Sequence, residues 1–406
     1  MKQSAAMMRG MRILMISDVY FPRINGVSTS IETFRHALAE QDIEVDVVAP
    51  EYPAPTPDHG DDARVTRVPA RRVPFDPEDR LMRHGALRRA LAAGPRRHDL
   101  VHVQTPFAAH YAGLRHARQQ RLPCVATYHT HFEDYLHNYV PALPKAALRA
   151  FARNLARRQC NTLDAVIVPS GAMEETLAGY GVTAPMHRVP TGIPVEHFSP
   201  AGRRPAGAEF RRRFDIPADR RVALFVGRAA HEKNIGFLLE ALPHALRAAP
   251  GLMLVIAGEG PALPALKRQA EALGVTPHVR FVGYLDRARE LPGCYAAADI
   301  FVFSSRTETQ GLVLLEAMAA GLPVLAFAAL GTREIVEPRR GALPAPQEPA
   351  AFGAALATLA NDAPLRRRMS EEAHVFVREW TTEACARRLA EVYRDVRQRH
   401  AARQPV

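Results

Sequence analysis

Cysteine is scarce in this chain: Cys124, Cys160, Cys294 and Cys385 are the four among 406 residues, and they form no metal-ligand cluster. Such spacing argues against a disulfide-stapled scaffold and predicts free thiols in a reducing compartment. Long apolar runs are lacking too. No stretch approaches the roughly 18 residues that argue for a spanning helix, so an integral membrane protein is not expected. The opening MKQSAAMMRGM has two basic residues but no continuous apolar region or cleavage site behind it. Secretion by a standard signal is therefore not expected, and residues 1–10 read as a flexible extension. The Gly-x-Gly-x-x-Gly fingerprint and the Walker A loop are also missing.

What is present points to a large folded chain. Apolar residues make up 47%, enough for substantial cores, and the length favours two domains. The net charge of +11 is carried largely by arginine, which attracts anionic partners such as nucleotides or an anionic lipid surface. No zinc-finger spacing or RNA-binding motif accompanies the charge, so nucleic acid is not the expected partner.

The most informative stretch is RTETQGLVLLEAMAAGLP, from Arg306 to Pro323. DIFVFSS before it reads as a buried strand. GLVLLEAMAAG has helical spacing, and Gly321 and Pro323 end it. Two carboxylates, Glu308 and Glu316, flank that junction. Gly311 stands where turn becomes helix, so backbone N–H groups there can meet an anion. An ionised Glu316 can accept two hydroxyl hydrogen bonds from a ribose diol, and Glu308 suits a sugar. Either can equally be a helix-end charge without a ligand. GRAAHEKN follows the strand VALFV and supplies Arg228 and Lys233, two cations able to neutralise adjacent phosphates. A surface pair free of phosphate has the same sequence. Gly258, in the strand-end loop GEG, permits a close turn.

The first half alternates strand and helix in the same way. RILMIS is a strand, and a helix is expected from about Ser28 to Gln41, capped by Ser28 or Thr29 with Glu32 at capping-box spacing. Asn25-Gly26 before it lets backbone approach a bound group, or merely ends a turn. From Arg64 to Arg97 there are ten arginines against three acidic residues. The spacing predicts a helix over Glu78–Ala93 with Leu81, Leu87 and Leu91 on one side. That helix suits anionic headgroups, or a solvated face packed on its own sheet. His129 directly follows the strand CVATY, a usual place for ligand residues in parallel sheets. A fold-stabilising hydrogen bond is the alternative. His131 and His137 follow, without carboxylates spaced for zinc. A further helix, starting near Pro141, sets Lys145, Arg149, Arg153 and Arg157 on one face and Leu148, Phe151 and Leu155 on another. Thr191-Gly192 reads as a tight turn beside a hinge.

Repeated β–α units predict an α/β chain of two doubly wound sheets. The expected layout is an N-terminal domain over 11–195, a linker over 196–220, and a C-terminal domain over 221–378. A closing helix over 379–406 would pack back on the first domain.

SDVYFPRINGVSTSI, TYHTHFEDYLH, VPTGIP, GRAAHEKN, IAGEGP and ETQGLVLLEAMAAGLPV together resemble the retaining GT-B glycosyltransferases of the glycosyl transferases group 1 family, or family 4. They look most like its branch of diacylglycerol glucosyltransferases and phosphatidylinositol mannosyltransferases. The resemblance implies two Rossmann-like domains facing a central cleft, a nucleotide diphosphate sugar as donor substrate, and no metal or other cofactor. By the same resemblance Gly26 lies near phosphate and acceptor, and His129 helps hold the transferred sugar. Arg228 and Lys233 take the diphosphate, Glu308 the sugar and Glu316 the ribose, with Gly258 and Gly311 in the donor loops. Asn25 stands where related loops often have glycine. A lipid or glycan acceptor, and reversible contact with an anionic membrane at the cytoplasmic face, are the implied partners.

Overall fold

The computed structural model describes residues 10–53, 63–73, 76–94, 97–129, 144–199 and 204–403. The chain divides into two compact units, one of Met1–Gly192 with Thr382–Val406 and one of Ile193–Thr381. The expected extension lies outside the described residues except at Gly10.

The first unit is built on a seven-stranded sheet in the order β3-β2-β1-β6-β7-β8-β9. Its strands are β1 (Met11–Ile16), β2 (Ile43–Pro50), β3 (Val65–Val68), β6 (Leu100–Val103), β7 (Cys124–Thr127), β8 (Ala165–Val168) and β9 (Met186–Arg188). All neighbours run parallel. Helices cover both faces of such a sheet, which is why β6 and β8 are buried at every residue, β8 as a continuous apolar run and β6 with His102 among its apolar residues. A separate antiparallel pair joins β4 (Ala70–Val73) to β5 (Asp76–Met82).

That pair corrects the helix expected over Glu78–Ala93. Only His84–Ala93 is helical, burying Leu87 and Leu91. Leu81 instead lies in β5 opposite Arg71. The strand just upstream offers backbone partners to 76–82, and that ladder overrides helical periodicity in a short charged segment. The first helix is corrected as well: it spans Gly26–Ala39 and is capped by Asn25, not by Ser28 or Thr29. Asn25 Oδ1 accepts from the Val27 and Ser28 amides, while the Ser28 hydroxyl accepts from the Asn25 amide. Helix Lys145–Cys160 buries Leu148, Ala152 and Ala156, leaving Phe151 exposed rather than in the apolar stripe.

The C-terminal helix Thr382–Arg403 belongs to the first unit and buries Cys385, Leu389, Tyr393 and Val396 there. Its Tyr393 hydroxyl lies 2.6 Å from His102 Nδ1, and His102 Nε2 lies 2.7 Å from the Thr127 hydroxyl. Burial pushes the His102 pKa down to about 3, so the ring is neutral and serves two hydroxyls, one nitrogen accepting and the other donating.

The second unit carries a six-stranded parallel sheet, β12-β11-β10-β13-β14-β15. Its strands are β10 (Arg221–Val226), β11 (Leu252–Ala257), β12 (Val279–Gly283), β13 (Ile300–Phe303), β14 (Val324–Ala326) and β15 (Ala342–Pro344). Counted within the unit, the order is 3-2-1-4-5-6, the doubly wound arrangement of Rossmann sheets. The stretch read as a linker, 196–220, holds helix Arg204–Arg213 and most of helix Val195–Phe198, all within this unit. Its Arg211 guanidinium donates to Asp299 Oδ2 at 3.1 Å and to the Ala297 carbonyl at 2.9 Å. At the boundary Thr191 makes no turn; its buried hydroxyl donates to Ser30 Oγ at 2.8 Å. All four cysteines are free and buried, and burial pushes the Cys385 thiol up to about 11. Among the described residues no helix is long and apolar enough to cross a membrane.

The His102 pKa of about 3 lies below the usual 6.5, so its neutral burial stabilises the fold fully above pH 6.5 and progressively less as pH falls toward 3. Replacing it with glutamine is expected to flatten the acid side of the stability curve, by at most about 1.4 kcal/mol per pH unit. Urea unfolding between pH 4 and 7 reads this, and curves of equal slope for both proteins would contradict it.

Candidate functional site

In an open parallel sheet, ligands bind beyond the carboxyl ends of the strands, where the strand order reverses. In the second unit that point lies between β10 and β13. Arg228 and Lys233 follow β10, while Glu308 and Glu316 follow β13. The four residues read from separate motifs thus come from the two strands that flank the switch point.

Glycines set the geometry of this edge. Gly258 adopts φ +140°, and a Cβ there would sit 1.9 Å from the Gly227 carbonyl oxygen. The loop after β11 therefore lies backbone-on-backbone against the loop carrying Arg228. Hydrogen bonds close the contact: the Gly227 amide donates to the Ala257 carbonyl at 3.0 Å, and the Ala229 amide to the Glu259 carbonyl at 2.8 Å. Gly258 in turn donates to the Gly283 carbonyl at 2.8 Å, so three strand ends are stitched together. This packing accounts for Gly258 without a ligand. Gly331 does the same for the other loop, where a Cβ would lie 2.0 Å from the Thr309 carbonyl oxygen. Its amide donates to the Glu308 carbonyl at 2.9 Å.

Lys233 Nζ donates to Glu308 Oε1 at 2.6 Å, with both side chains largely buried. Asn234, left-handed at φ 54°, then starts helix Ile235–Leu246 and donates from its side chain to the Ser304 carbonyl at 3.2 Å. That bond ties the loop after β10 to the end of β13. Gly311, at φ +95°, turns the chain into helix Leu312–Ala319, and no side chain caps that helix. Its first-turn amides remain suited to an anionic or hydroxyl-rich ligand. Glu316 is fully buried within the helix. Arg287 donates to its Oε1, and the Tyr295 hydroxyl donates to Oε2 at 2.9 Å. Sequence reading missed both partners: Arg287 is one arginine in an arginine-rich chain, and Tyr295 lies in a helix that shows no motif.

The first unit places its candidates by the same rule. Gly26 is the first residue of the helix after β1. A Cβ there would meet nothing within 4 Å, and its φ is not positive. Neither backbone nor internal packing demands glycine, so its small size faces open space. His129 follows β7, half-buried, with Nε2 2.7 Å from Gln104 Oε1 at the end of β6. Burial pushes its pKa down to about 4, which keeps the ring neutral at pH 7. Gln104, itself buried, went unrecognised as a site residue, although its place just beyond a strand is the same signal that marked His129. His131 and His137 lie outside the described residues. Among the described residues no three His, Cys, Asp or Glu side chains gather as a metal site.

A groove of about 550 Å³ opens in the first unit between β4, β5 and the start of helix Ala108–Gln120. Leu81, Met82, Phe107 and Tyr111 give it an apolar lining, and Arg71, Arg83 and His84 add basic groups. Phe107 and Tyr111 are about half exposed, as is Phe151 on helix Lys145–Cys160, where Arg149, Arg153 and Arg157 are exposed too.

Comparison with known proteins places this geometry. The model of Glycosyltransferase Family 4 matches residues 24–197, and that of Glycosyl transferases group 1 matches residues 208–376. The chain is 33% identical to the alpha-monoglucosyldiacylglycerol synthase of Streptococcus pneumoniae, over 78% of this chain and 71% of that one. It is also 33% identical to a GDP-mannose-dependent alpha-mannosyltransferase of Mycobacterium tuberculosis, over 83% and 84% respectively. Among solved structures, sucrose-phosphate synthase from Thermosynechococcus elongatus superposes with a TM-score of 0.78 at 24% identity, covering 97% of this chain and all of that one. HepE of Anabaena, in complex with UDP and glucose, gives 0.75 at 18% identity over 95% of this chain and all of its own. Two Rossmann-like units, a family match in each half, and relatives one-third identical over most of their length lead to one conclusion: the chain belongs to the GT-B glycosyltransferases of the glycosyl transferases group 1 family and takes a nucleotide sugar as donor.

Proposed function

We propose that this chain transfers a hexosyl group, glucose or mannose, from a nucleoside diphosphate sugar to a lipid hydroxyl, with the anomeric configuration retained. One observation carries the reading. Lys233, placed by the first strand of the second sheet, meets Glu308, placed by the fourth, at 2.6 Å. A cation suited to a departing diphosphate thus adjoins a carboxylate suited to sugar hydroxyls, at the sheet's switch point.

In this mechanism the acceptor oxygen forms its bond to C1 on the face from which the C1–O–phosphate bond breaks. The acceptor proton passes to a leaving phosphate oxygen, and the nucleoside diphosphate departs. Negative charge grows on the diphosphate as that bond breaks, so Arg228 and Lys233 favour the transition state over the ground state. Lys233 exchanges Glu308 for phosphate, which releases the Glu308 carboxylate to the sugar. His129 is neutral and orients a hydroxyl by hydrogen bonding. Glu316 fixes the ribose, and the small Gly26 admits phosphate and acceptor at the start of its helix. Protein cations take the place of a divalent metal.

A membrane lipid such as diacylglycerol is the proposed acceptor. The groove of Leu81, Met82, Phe107 and Tyr111 suits a hydrocarbon chain, and Arg71 and Arg83 suit anionic headgroups. The relatives named for glucosyldiacylglycerol synthesis support the same class. Location follows as reversible contact with the cytoplasmic face of an anionic membrane, through exposed Phe151 and its neighbouring arginines.

A donor-by-acceptor activity matrix tests the reading, with product linkage analysis and with EDTA present. Turnover is expected with one hexosyl donor and a lipid acceptor, undiminished by EDTA. Lys233→Met is expected to lower kcat by about 10²–10³-fold, the loss typical when one transition-state donor is removed. Nucleotide binding without transfer to any acceptor, or full activity in the variant, would contradict it.

Liposome cosedimentation tests the membrane contact. Vesicles containing phosphatidylglycerol are expected to retain the protein at low salt and release most of it at about 0.5 M, where exposed charges are screened within a few ångströms. Arg149→Ala with Arg153→Ala should weaken retention, and failure of the parent protein to bind at either salt would contradict the contact.

A further inference from the structure

Glu308 and Glu316 are treated very differently by their surroundings. Glu308 and its partner Lys233 are 17% and 18% exposed, so ligand can reach both. Glu316 is 0% exposed, while its partner Arg287 is 28% exposed. The cation is the solvent-facing member of this second pair. A fully buried carboxylate is stable only when its oxygens are paired, and here both are: Oε1 by Arg287 and Oε2 by the Tyr295 hydroxyl. A ribose diol needs to donate two hydrogen bonds to that group. While Arg287 holds Oε1, Glu316 offers the diol no surface.

The residue in question is well placed to move. Arg287 comes from the connection between β12 and helix Leu291–Ala296. Its guanidinium carbon lies 5.7 Å from the Phe198 ring centroid, so the charge contacts that ring while it pairs with Glu316. The turn around it is held by its own side chains as well as by Arg213, which pairs with Glu290, and by His197, whose Nε2 lies 3.4 Å from the Arg287 carbonyl oxygen. Asp286 Oδ1 accepts from the Ala288 and Arg289 amides at 3.0 and 2.7 Å, and Glu290 Oε2 accepts from the Asp286 amide at 2.8 Å. The guanidinium can therefore leave Glu316 by side-chain rotation without unfolding the turn.

We infer that Arg287 gates the ribose site: its guanidinium and the ribose diol compete for Glu316, and nucleotide binds by displacing the arginine. This rests on the reading of Glu316 as the ribose carboxylate. The exchange makes physical sense in both directions. With the site empty, Arg287 keeps a buried charge paired. With nucleotide present, two hydroxyl donors take over that role, and the released cation sits beside an anionic ligand. The gate lowers nucleotide affinity by the cost of breaking the pair, which favours release of the nucleoside diphosphate after transfer.

Isothermal titration of the full chain with UDP and GDP at pH 8 tests the gate. Arg287→Met keeps an apolar stem over Phe198 and removes the guanidinium. Arg287→Lys keeps a charge and serves if the methionine variant does not fold. The nucleotide that binds the parent protein is expected to bind Arg287→Met about tenfold tighter, with a lower donor KM and stronger inhibition by the product nucleotide. Arg287→Lys should lie between the parent and Arg287→Met. Unchanged or weaker binding in the variant that folds would overturn the gate, since a merely structural arginine would not raise affinity when removed. Glu316→Gln separates the two levels of the reading. If it weakens nucleotide binding and abolishes the preference for UDP over 2′-deoxy-UDP, or GDP over its deoxy form, Glu316 is the ribose ligand and the Arg287 variants decide the gate. If it binds as the parent does, the ribose reading itself fails, and the gate with it.

Discussion

The candidate site of the second unit depends on how closely polypeptide backbones can approach one another at the end of a parallel sheet. Where the loop after β11 crosses the loop after β10, the Gly227 carbonyl oxygen occupies space that any side chain at position 258 would need. Only that approach lets the Gly227 and Ala229 amides reach Ala257 and Glu259. The same device recurs at Gly331, under the loop that carries Glu308. With both loops pressed down, Arg228, Lys233 and Glu308 project from fixed backbone rather than from free connections. Positioning of this kind is what makes charged groups effective, because they need no reorganisation when charge develops on a bound substrate.

A second regularity concerns charge. Each acidic residue read as a ligand group in the second unit is paired with a cation, Glu308 with Lys233 and Glu316 with Arg287. An empty site lined by unpaired buried charges would be costly, by several kcal/mol per ion. Internal pairing removes that cost, and it turns ligand binding into an exchange of partners. The first unit follows a different course. There the buried His102 and the half-buried His129 are held neutral and joined to Tyr393, Thr127 and Gln104. The two candidate carboxylates of the second unit are thus paired with cations, while the two histidines of the first meet neutral hydrogen-bonding groups.

Much of this was legible in the sequence because strands buried on both faces leave continuous apolar runs. The runs ALFV, LVIA and IFVF lie inside β10, β11 and β13, and the motif residues fall just past strand ends. Four details departed from that reading. The pairing of β5 with β4 overrode a helical leucine spacing, since the decisive backbone partners lie on another strand. Asn25 takes the cap from Ser28 because its side-chain oxygen accepts from the Val27 and Ser28 amides, the bonds an N-cap residue makes. Phe151 carried the hydrophobicity of a core residue but faces outward, while the small Ala152 and Ala156 turn inward. Arg287 was hidden by composition: among so many arginines, nothing in the chain marks the one that meets a buried glutamate across 29 positions.

The central claim is that transfer occurs on one face of the sugar, with protein cations drawing off the diphosphate and a phosphate oxygen taking the acceptor proton. NMR of the first-formed product from an α-linked nucleotide sugar, read at the one-bond C1–H1 coupling constant, tests it most directly. The account predicts an α-linked product. A β-linked product would show attack from the opposite face and contradict it.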